Sequence, residues 1–451
     1  MYRFFMRFTA AELVAALSAR NLHGDSAHLV GPDVEIDGVS FDSREVRPGQ
    51  LFVPIVAERD GHDYIDDALA AGAVAYLTSR DDSHDRFGAT AIRVRDTAEA
   101  LIDAGGWVRT LFPASTVVIG VTGSVGKTST KDLIAVALSS VITTTANVRS
   151  FNNEQGLPVT IVNAPADTRA LVLEMGMRGF GQIADLCRIA RPSIGVVTRV
   201  GEAHTELVGG LEGVARAKGE LIEALPPQGF AILNADDERV RAMASRSSAP
   251  VILYGESVDA DVRIEGLNVD ELGRARFDVV IGGERASVAL AIPGRHMASN
   301  AAAALAVGHA LGLSLSTLAG ALSAAEVSDR RMQVRRTIRG ATVIDDSYNA
   351  NPTSMEAALR TLADMNADHK VALLGVMAEL EDPHDAHRRI AGLVRELGLE
   401  LLAVGTESYG VVPLTIDEAV ASLATLGPDA VALVKGSRVA GLDRVVDAAV
   451  T

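Results

Sequence analysis

The segment Gly120-Val121-Thr122-Gly123-Ser124-Val125-Gly126-Lys127-Thr128 constrains this chain more than any other. A β-branched apolar run, Thr116-Val117-Val118-Ile119, leads into it, and a helix is expected to begin near Lys127. A buried strand that turns through glycines into a helix points successive backbone N–H groups into one concavity, and the helix N-terminus adds partial positive charge. That cradle suits the phosphates of a nucleoside triphosphate, with Gly123, Ser124, Gly126, Lys127 and Thr128 around them. Lys127 would bridge the β- and γ-phosphates, and the Thr128 hydroxyl would ligate Mg²⁺. The pattern's usual first glycine would fall at Val121, so the loop is a variant. It points to a nucleotide and leaves the reaction open.

The alternation around the loop sets the fold class, α/β. Apolar runs at 170–173, 194–197, 230–233 and 251–254 are mostly separated by helix-length segments. This predicts a largely parallel sheet covered on both faces. Residues 262–292 alternate at period two and are helix-poor, which predicts an antiparallel patch, and an Ala-rich helix is expected over 298–311. Runs at 341–344, 371–374, 401–404 and 430–434 repeat the alternation, as in a second, smaller doubly wound domain. Ahead of the loop, strand-like pieces at 49–55 and 73–77 flank a helix expected over 64–71. A chain of 451 residues exceeds what one core usually supports, so two or three domains are expected, and the pattern divides it at 1–107, 108–327 and 328–451.

Hydrophobic residues make up 48% of the chain but aromatics only 4%, so the core must be built from Ala, Val, Leu and Ile. Lys and Arg total 42 against 58 Asp and Glu, a net charge of −16. A chain this acidic is a poor general binder of nucleic acid or anionic membrane, and local basic residues would have to hold any anionic substrate. The single cysteine, Cys187, excludes an intrachain disulfide and reads as a buried structural thiol. The opening MYRFFMRFTAAEL lacks the apolar core and cleavage site of a signal peptide. No apolar stretch reaches the ~18 residues of a membrane span, so a cytoplasmic protein is expected.

Glu174 ends the 170–173 run, where open α/β sheets place ligands, and His204 follows the 194–197 run. Mg²⁺ prefers oxygen and keeps waters, so one Glu with Thr128 and phosphate oxygens would suffice. Read alone, His204 is a structural or surface histidine and Lys218 a solvated helical lysine. Spacing does not assemble them.

The string Asp345-Asp346-Ser347-Tyr348-Asn349-Ala350-Asn351-Pro352, together with the phosphate loop, resembles the Mur ligases of peptidoglycan synthesis. Asp42-Ser43-Arg44, Asp60-Gly61-His62, Asn152-Asn153-Glu154-Gln155-Gly156, Gly201-Glu202-Ala203-His204, Ala217-Lys218-Gly219-Glu220, Arg331-Met332-Gln333 and Val434-Lys435-Gly436-Ser437-Arg438 extend the likeness over nearly the whole chain. The resemblance implies three domains: a small α/β domain for a uridine nucleotide, a central P-loop ATPase domain with a mostly parallel sheet, and a C-terminal Rossmann-like domain. It implies ATP and two Mg²⁺, with Thr128, Glu174, His204 and Lys218 as metal ligands and Lys218 carbamylated. Lys127, Glu174, His204 and Lys218 would be the catalytic set. Asn300, Arg331 and Asp346 would hold the nucleotide, and Ser43, Arg44, Asn152, Asn153, Asn349 and Asn351 would bind substrate.

Within the family, the Asp345–Pro352 string is similar to the branch that joins D-alanyl-D-alanine to UDP-N-acetylmuramoyl-tripeptide, acting as a monomer. A Mur-type ligase with another substrate, whether diamino-acid-adding or folylpolyglutamate-like, is the nearest alternative. A nucleotide-binding regulatory paralogue is the other. Two departures bear on the choice: Met297 stands where the family usually has Asn, and Val376 where it usually has Asp.

Overall fold

The computed structural model describes residues 6–20, 27–80, 89–148, 151–202 and 205–450. They form two compact units, one of Met1–Gly120, Ile142–Gly176 and Gln182–Ser193, the other of Val121–Val141, Met177–Gly181 and Ile194–Thr451.

In the first unit, the strands Val39–Ser40, Leu51–Phe52, Ala75–Thr78 and Thr90–Arg93 run parallel, and His28–Val30 closes the sheet antiparallel at its edge. The 49–55 expectation contracts to two strand residues, because Pro54 has no N–H to continue a ladder. The helix Ile65–Ala70 and strand Ala75–Thr78 fall on the expected segments. Phe52, Ile65, Ala68, Tyr76 and Ala91 form the small core between them. The parallel pair Thr144–Ala146 and Ala170–Glu174 also belongs to this unit. Cys187 is buried against the Met175 sulfur at 3.8 Å, as expected for a structural thiol.

In the second unit, Ile194–Val197, Phe230–Asn234, Val251–Gly255 and Val262–Val269 run parallel. Arg274–Ile281 and Glu284–Pro293 continue the sheet antiparallel, within the stretch that alternates at period two. The helix Met297–Ala310 is buried almost all round, and its alanines let it lie close to its neighbours. Toward the C-terminus, Thr342–Asp346, Ala430–Lys435, His369–Leu374 and Glu400–Ala403 lie side by side and parallel, each within a residue or two of its expected run. The sequence pattern missed Gln333–Arg336, an antiparallel edge strand with half of its side chains exposed and no apolar periodicity to mark it.

Candidate active site

The phosphate loop folds as its residues require. The strand Val117–Thr122 delivers the chain to the turn, and the helix Lys127–Ser139 begins at the expected lysine. Gly126 caps that helix at φ +81°, a left-handed conformation that glycine adopts without steric cost. A Cβ there would also stand 2.8 Å from Asn300 Oδ1, so the loop and the first turn of Met297–Ala310 approach through a glycine. The Ser124 N–H donates to Arg199 O (2.6 Å) and its hydroxyl to Gly201 O (2.9 Å). Thr198 Oγ1 donates to Val125 O at 2.6 Å. Lys127 Nζ lies over the turn, 2.6 Å from Gly123 O, and Thr128 is buried at the first helical turn.

Asn300, expected to hold the nucleotide, lies beside this loop and has a neighbour the sequence did not predict. Its Nδ2 lies 3.5 Å from the buried Met297 sulfur, which leaves Oδ1 toward Gly126. The Met297 departure thus gives Asn300 a soft sulfur contact. Val376 has a backbone part, its carbonyl accepting from the Ser437 N–H at 2.9 Å.

Lys218 ends the helix Gly210–Lys218 and is only 2% exposed. A solvated helical lysine is therefore overturned: the residue is among the largest fully buried side chains of the protein. Arg246 caps that helix end, donating to the carbonyls of Ala215 (3.3 Å) and Arg216 (2.9 Å).

Asp346 ends the strand Thr342–Asp346 and meets the residue after Arg331. Asp346 Oδ1 accepts the Met332 N–H at 3.2 Å, and its Oδ2 accepts Lys435 Nζ at 2.5 Å. Asp346 and Lys435 are register partners at the carboxyl ends of adjacent parallel strands. Lys435 also donates to Asn349 O at 2.9 Å. His296 feels Asp346, Lys435 and Arg199, and burial, the largest influence, lowers its pKa to about 4. Lys435 was not among the expected site residues. Its signal was a lysine closing an apolar strand run, where sheets of this kind place functional groups.

The first unit gathers a second set. Glu174 is 2% exposed, accepts Asn152 Nδ2 at 2.8 Å on Oε1, and donates its N–H to Asn147 Oδ1 at 2.8 Å. Asn153 Oδ1 accepts the Gly156 N–H, so that oxygen shapes a turn. Arg44 forms a two-pronged pair with Asp42 at 2.9 and 2.6 Å, and Ser43 opens the short 3₁₀ turn above it. Phe41 and Phe151 pack with ring centroids 5.5 Å apart, which sets the Asp42–Arg44 turn near the Asn152 segment. Asn163, missed from sequence, ties the two parts together: Oδ1 accepts from Val39 N–H and Nδ2 donates to Val39 O, each at 2.8 Å.

Asn351 Oδ1 caps the helix Pro352–Asp364 by accepting the Ser354 N–H at 2.9 Å, whereas Asn349 is exposed. His204 lies outside the described residues. Among the described residues no helix is long and apolar enough to cross a membrane.

Three family models match the chain: the Mur ligase family catalytic domain over residues 35–104, the Mur ligase middle domain over 121–308, and the Mur ligase glutamate ligase domain over 330–438. The UDP-N-acetylmuramoyl-tripeptide–D-alanyl-D-alanine ligase of Mycobacterium tuberculosis is 38% identical, over 98% of this chain and 96% of its own. The enzyme of that name from Escherichia coli is 34% identical over 86% and 85%. Among solved structures, MurF from Acinetobacter baumannii superposes with a TM-score of 0.85 at 28% identity, covering 98% of both chains. MurF ligase from Thermotoga maritima in complex with ADP gives 0.79 at 27% identity, covering 91% and 96%. The fold is the three-domain α/β architecture these proteins share, and the chain belongs to the Mur ligase family.

Proposed function

We propose that this ligase joins D-alanyl-D-alanine to UDP-N-acetylmuramoyl-tripeptide at the expense of ATP, in peptidoglycan precursor synthesis. The observation that carries the reading is the Asp345–Pro352 string. It closes a buried parallel strand, pairs Asp346 with Lys435, and opens a capped helix, in the same compact unit as the phosphate loop.

A carboxylate does not condense with an amine near neutral pH unless it is activated. The terminal carboxylate of the tripeptide attacks the γ-phosphorus of ATP, forming an acyl phosphate and releasing ADP. The dipeptide amine then attacks the acyl carbon, and phosphate leaves from a tetrahedral intermediate. Both steps gather negative charge on oxygen, so the protein's part is positional and electrostatic. Lys127 and the N–H groups opening Lys127–Ser139 meet the polyphosphate, with Ser124 held by Arg199 and Gly201. Asn300, Arg331 and Asp346 hold the nucleotide. Ser43, Arg44, Asn152, Asn153, Asn349 and Asn351 are assigned to the substrates.

Thr128, Glu174, His204 and Lys218, the last as a carbamate, are assigned to two Mg²⁺, which supply further charge neutralisation when bound. The hydroxyl, the carboxylate and a buried amine that a carbamate would turn into an oxygen ligand suit a hard cation. The division into 1–107, 108–327 and 328–451, with one matched stretch in each, belongs to this reading. So do a monomer and a cytoplasmic setting.

Phosphate release from ATP and Mg²⁺ with UDP-N-acetylmuramoyl-tripeptide, with and without D-alanyl-D-alanine, tests it, with product mass as the second readout. Release that depends on the dipeptide, with a matching mass gain, is the expected result. Release with another amine instead keeps the chemistry and moves the substrate. No turnover by folded, carbamylated protein leaves a regulatory nucleotide binder.

A further inference from the structure

Arg331 sits in an unusual piece of backbone. Its two neighbours, Arg330 and Met332, both adopt left-handed conformations, at φ +60° and +54°. Non-glycine residues rarely do so, and two of them around one residue persist only where the surroundings over-determine the shape. Here they do. The Arg330 guanidinium grips both Asp447 carboxylate oxygens, at 3.1 and 2.9 Å, and lies 3.8 Å from Asp345. The Arg330 N–H donates to Gln333 Oε1 (3.1 Å), while its carbonyl accepts the Tyr348 N–H (3.3 Å). Met332 N–H donates to Asp346.

The outcome is that the Arg331 guanidinium lies over the Tyr348 ring, 4.3 Å from its centroid. Both residues are half-buried. The ring is itself fixed, because Lys435 grips the chain on both sides of it, at the Asp346 carboxylate and the Asn349 carbonyl. We propose that Tyr348 is a positioning residue, a platform that sets the plane of the Arg331 guanidinium for an oxyanion of the bound nucleotide. A guanidinium carries its five N–H donors in its own plane. Stacking on an aromatic ring uses a face and leaves those in-plane donors for phosphate or ribose oxygens. The inference deepens the nucleotide role given to Arg331 above and rests on it. It also places the residue that orients a nucleotide contact inside the string that marks the dipeptide-adding branch.

The test is the affinity of the full chain for a fluorescent ATP analogue with Mg²⁺, read by titration, with melting curves to confirm folding. Tyr348→Phe keeps the platform and is expected to bind within two-fold of wild type, on the order of an unperturbed stack. Tyr348→Leu removes it and should weaken binding by roughly ten-fold, the size of a partly desolvated cation–π contact. In an Arg331→Ala background, Tyr348→Leu should add nothing further. In turnover, the loss should appear in the ATP KM and leave the KM for D-alanyl-D-alanine unchanged. Unaltered binding by Tyr348→Leu overturns the platform, as does equal damage from Tyr348→Phe, or a full Tyr348→Leu effect without Arg331. A wild-type chain that does not bind the analogue overturns the nucleotide reading itself. Graded binding without dipeptide ligation leaves the platform standing and overturns only the substrate assignment.

Discussion

At the residue scale, the two lysines proposed for the chemistry, Lys127 and Lys218, ask for different evidence. Lys127 follows a glycine cap and lies over its own turn, 2.6 Å from the Gly123 carbonyl. Lys127→Ala is expected to lower dipeptide-dependent phosphate release by about 100-fold or more, the scale of losing a charge-stabilising group in a phosphoryl-transfer site. Lys218 was legible as a position and misleading as an environment. Read from Ala215-Arg216-Ala217-Lys218 alone it is a surface lysine, yet it is 2% exposed. Lys218→Ala should impair turnover, with partial recovery on adding a small carboxylate such as acetate. Activity equal to wild type without the additive would remove the carbamate from the mechanism.

At the scale of elements, the C-terminal sheet depends on a histidine that the motif search passed over. His387 lies buried on the helix Pro383–Glu396. Its Nδ1 is 2.5 Å from Pro383 O, so that nitrogen carries the proton, and Nε2 accepts the Met377 N–H at 2.9 Å. Tyr409 packs edge-on against the ring and donates its hydroxyl to Gly375 O at 2.8 Å. The loop so held passes its fixation on: the Ala378 N–H donates to Ser437 Oγ (2.8 Å), which donates to Ala350 O (3.2 Å) in the Asp345–Pro352 string.

Burial, with a smaller push from His384, lowers the His387 pKa against the Pro383 carbonyl. The folded state therefore binds fewer protons than the unfolded one. The stability this gives is complete above the ordinary histidine pKa of about 6.5 and is lost as pH falls below it. His387→Gln should destabilise the protein at pH 8 by roughly 1–3 kcal/mol, the cost of disturbing a buried hydrogen-bonded group. The gap to wild type should narrow toward pH 5. Thermal melts of both proteins across that range check it, and parallel curves would assign the acid sensitivity to other groups.

At the scale of the whole molecule, the segment after Ile194–Val197 meets the C-terminal part of the second unit. Gly201 approaches Thr353 so closely that a Cβ would stand 2.6 Å from the threonine hydroxyl oxygen. Glu202 pairs with Arg389 at 2.5 Å, and Arg389 is also 3.4 Å from Asp385. Because Gly201 O also accepts the Ser124 hydroxyl, this contact links the phosphate loop to the helices Pro352–Asp364 and Pro383–Glu396. Half-exposed ion pairs contribute about 0–1 kcal/mol, so Glu202→Arg should raise the ATP KM only by about two- to five-fold. The reversed pair, Glu202→Arg with Arg389→Glu, should restore it. A double variant worse than either single would show that the pairing is incidental.

The sequence by itself determined the α/β class, the phosphate loop and nearly every central strand. These features are local: a β-branched run, a glycine turn and an amphipathic or Ala-rich helix reveal themselves within a dozen residues. It also determined the family, because the matching motifs are strings of adjacent residues. Only the tertiary structure decided which side chains meet. The pairing of Asp346 with Lys435 spans 89 positions, the tie of Asn163 to Val39 spans 124, and Glu202 to Arg389 spans 187. Parallel sheets create such meetings by register and by crossover connections, and neither has a signature in a local window. The same holds for environment. The burial of Lys218 and the stacking of Arg331 on Tyr348 exist only in the folded chain, and no spacing rule records them.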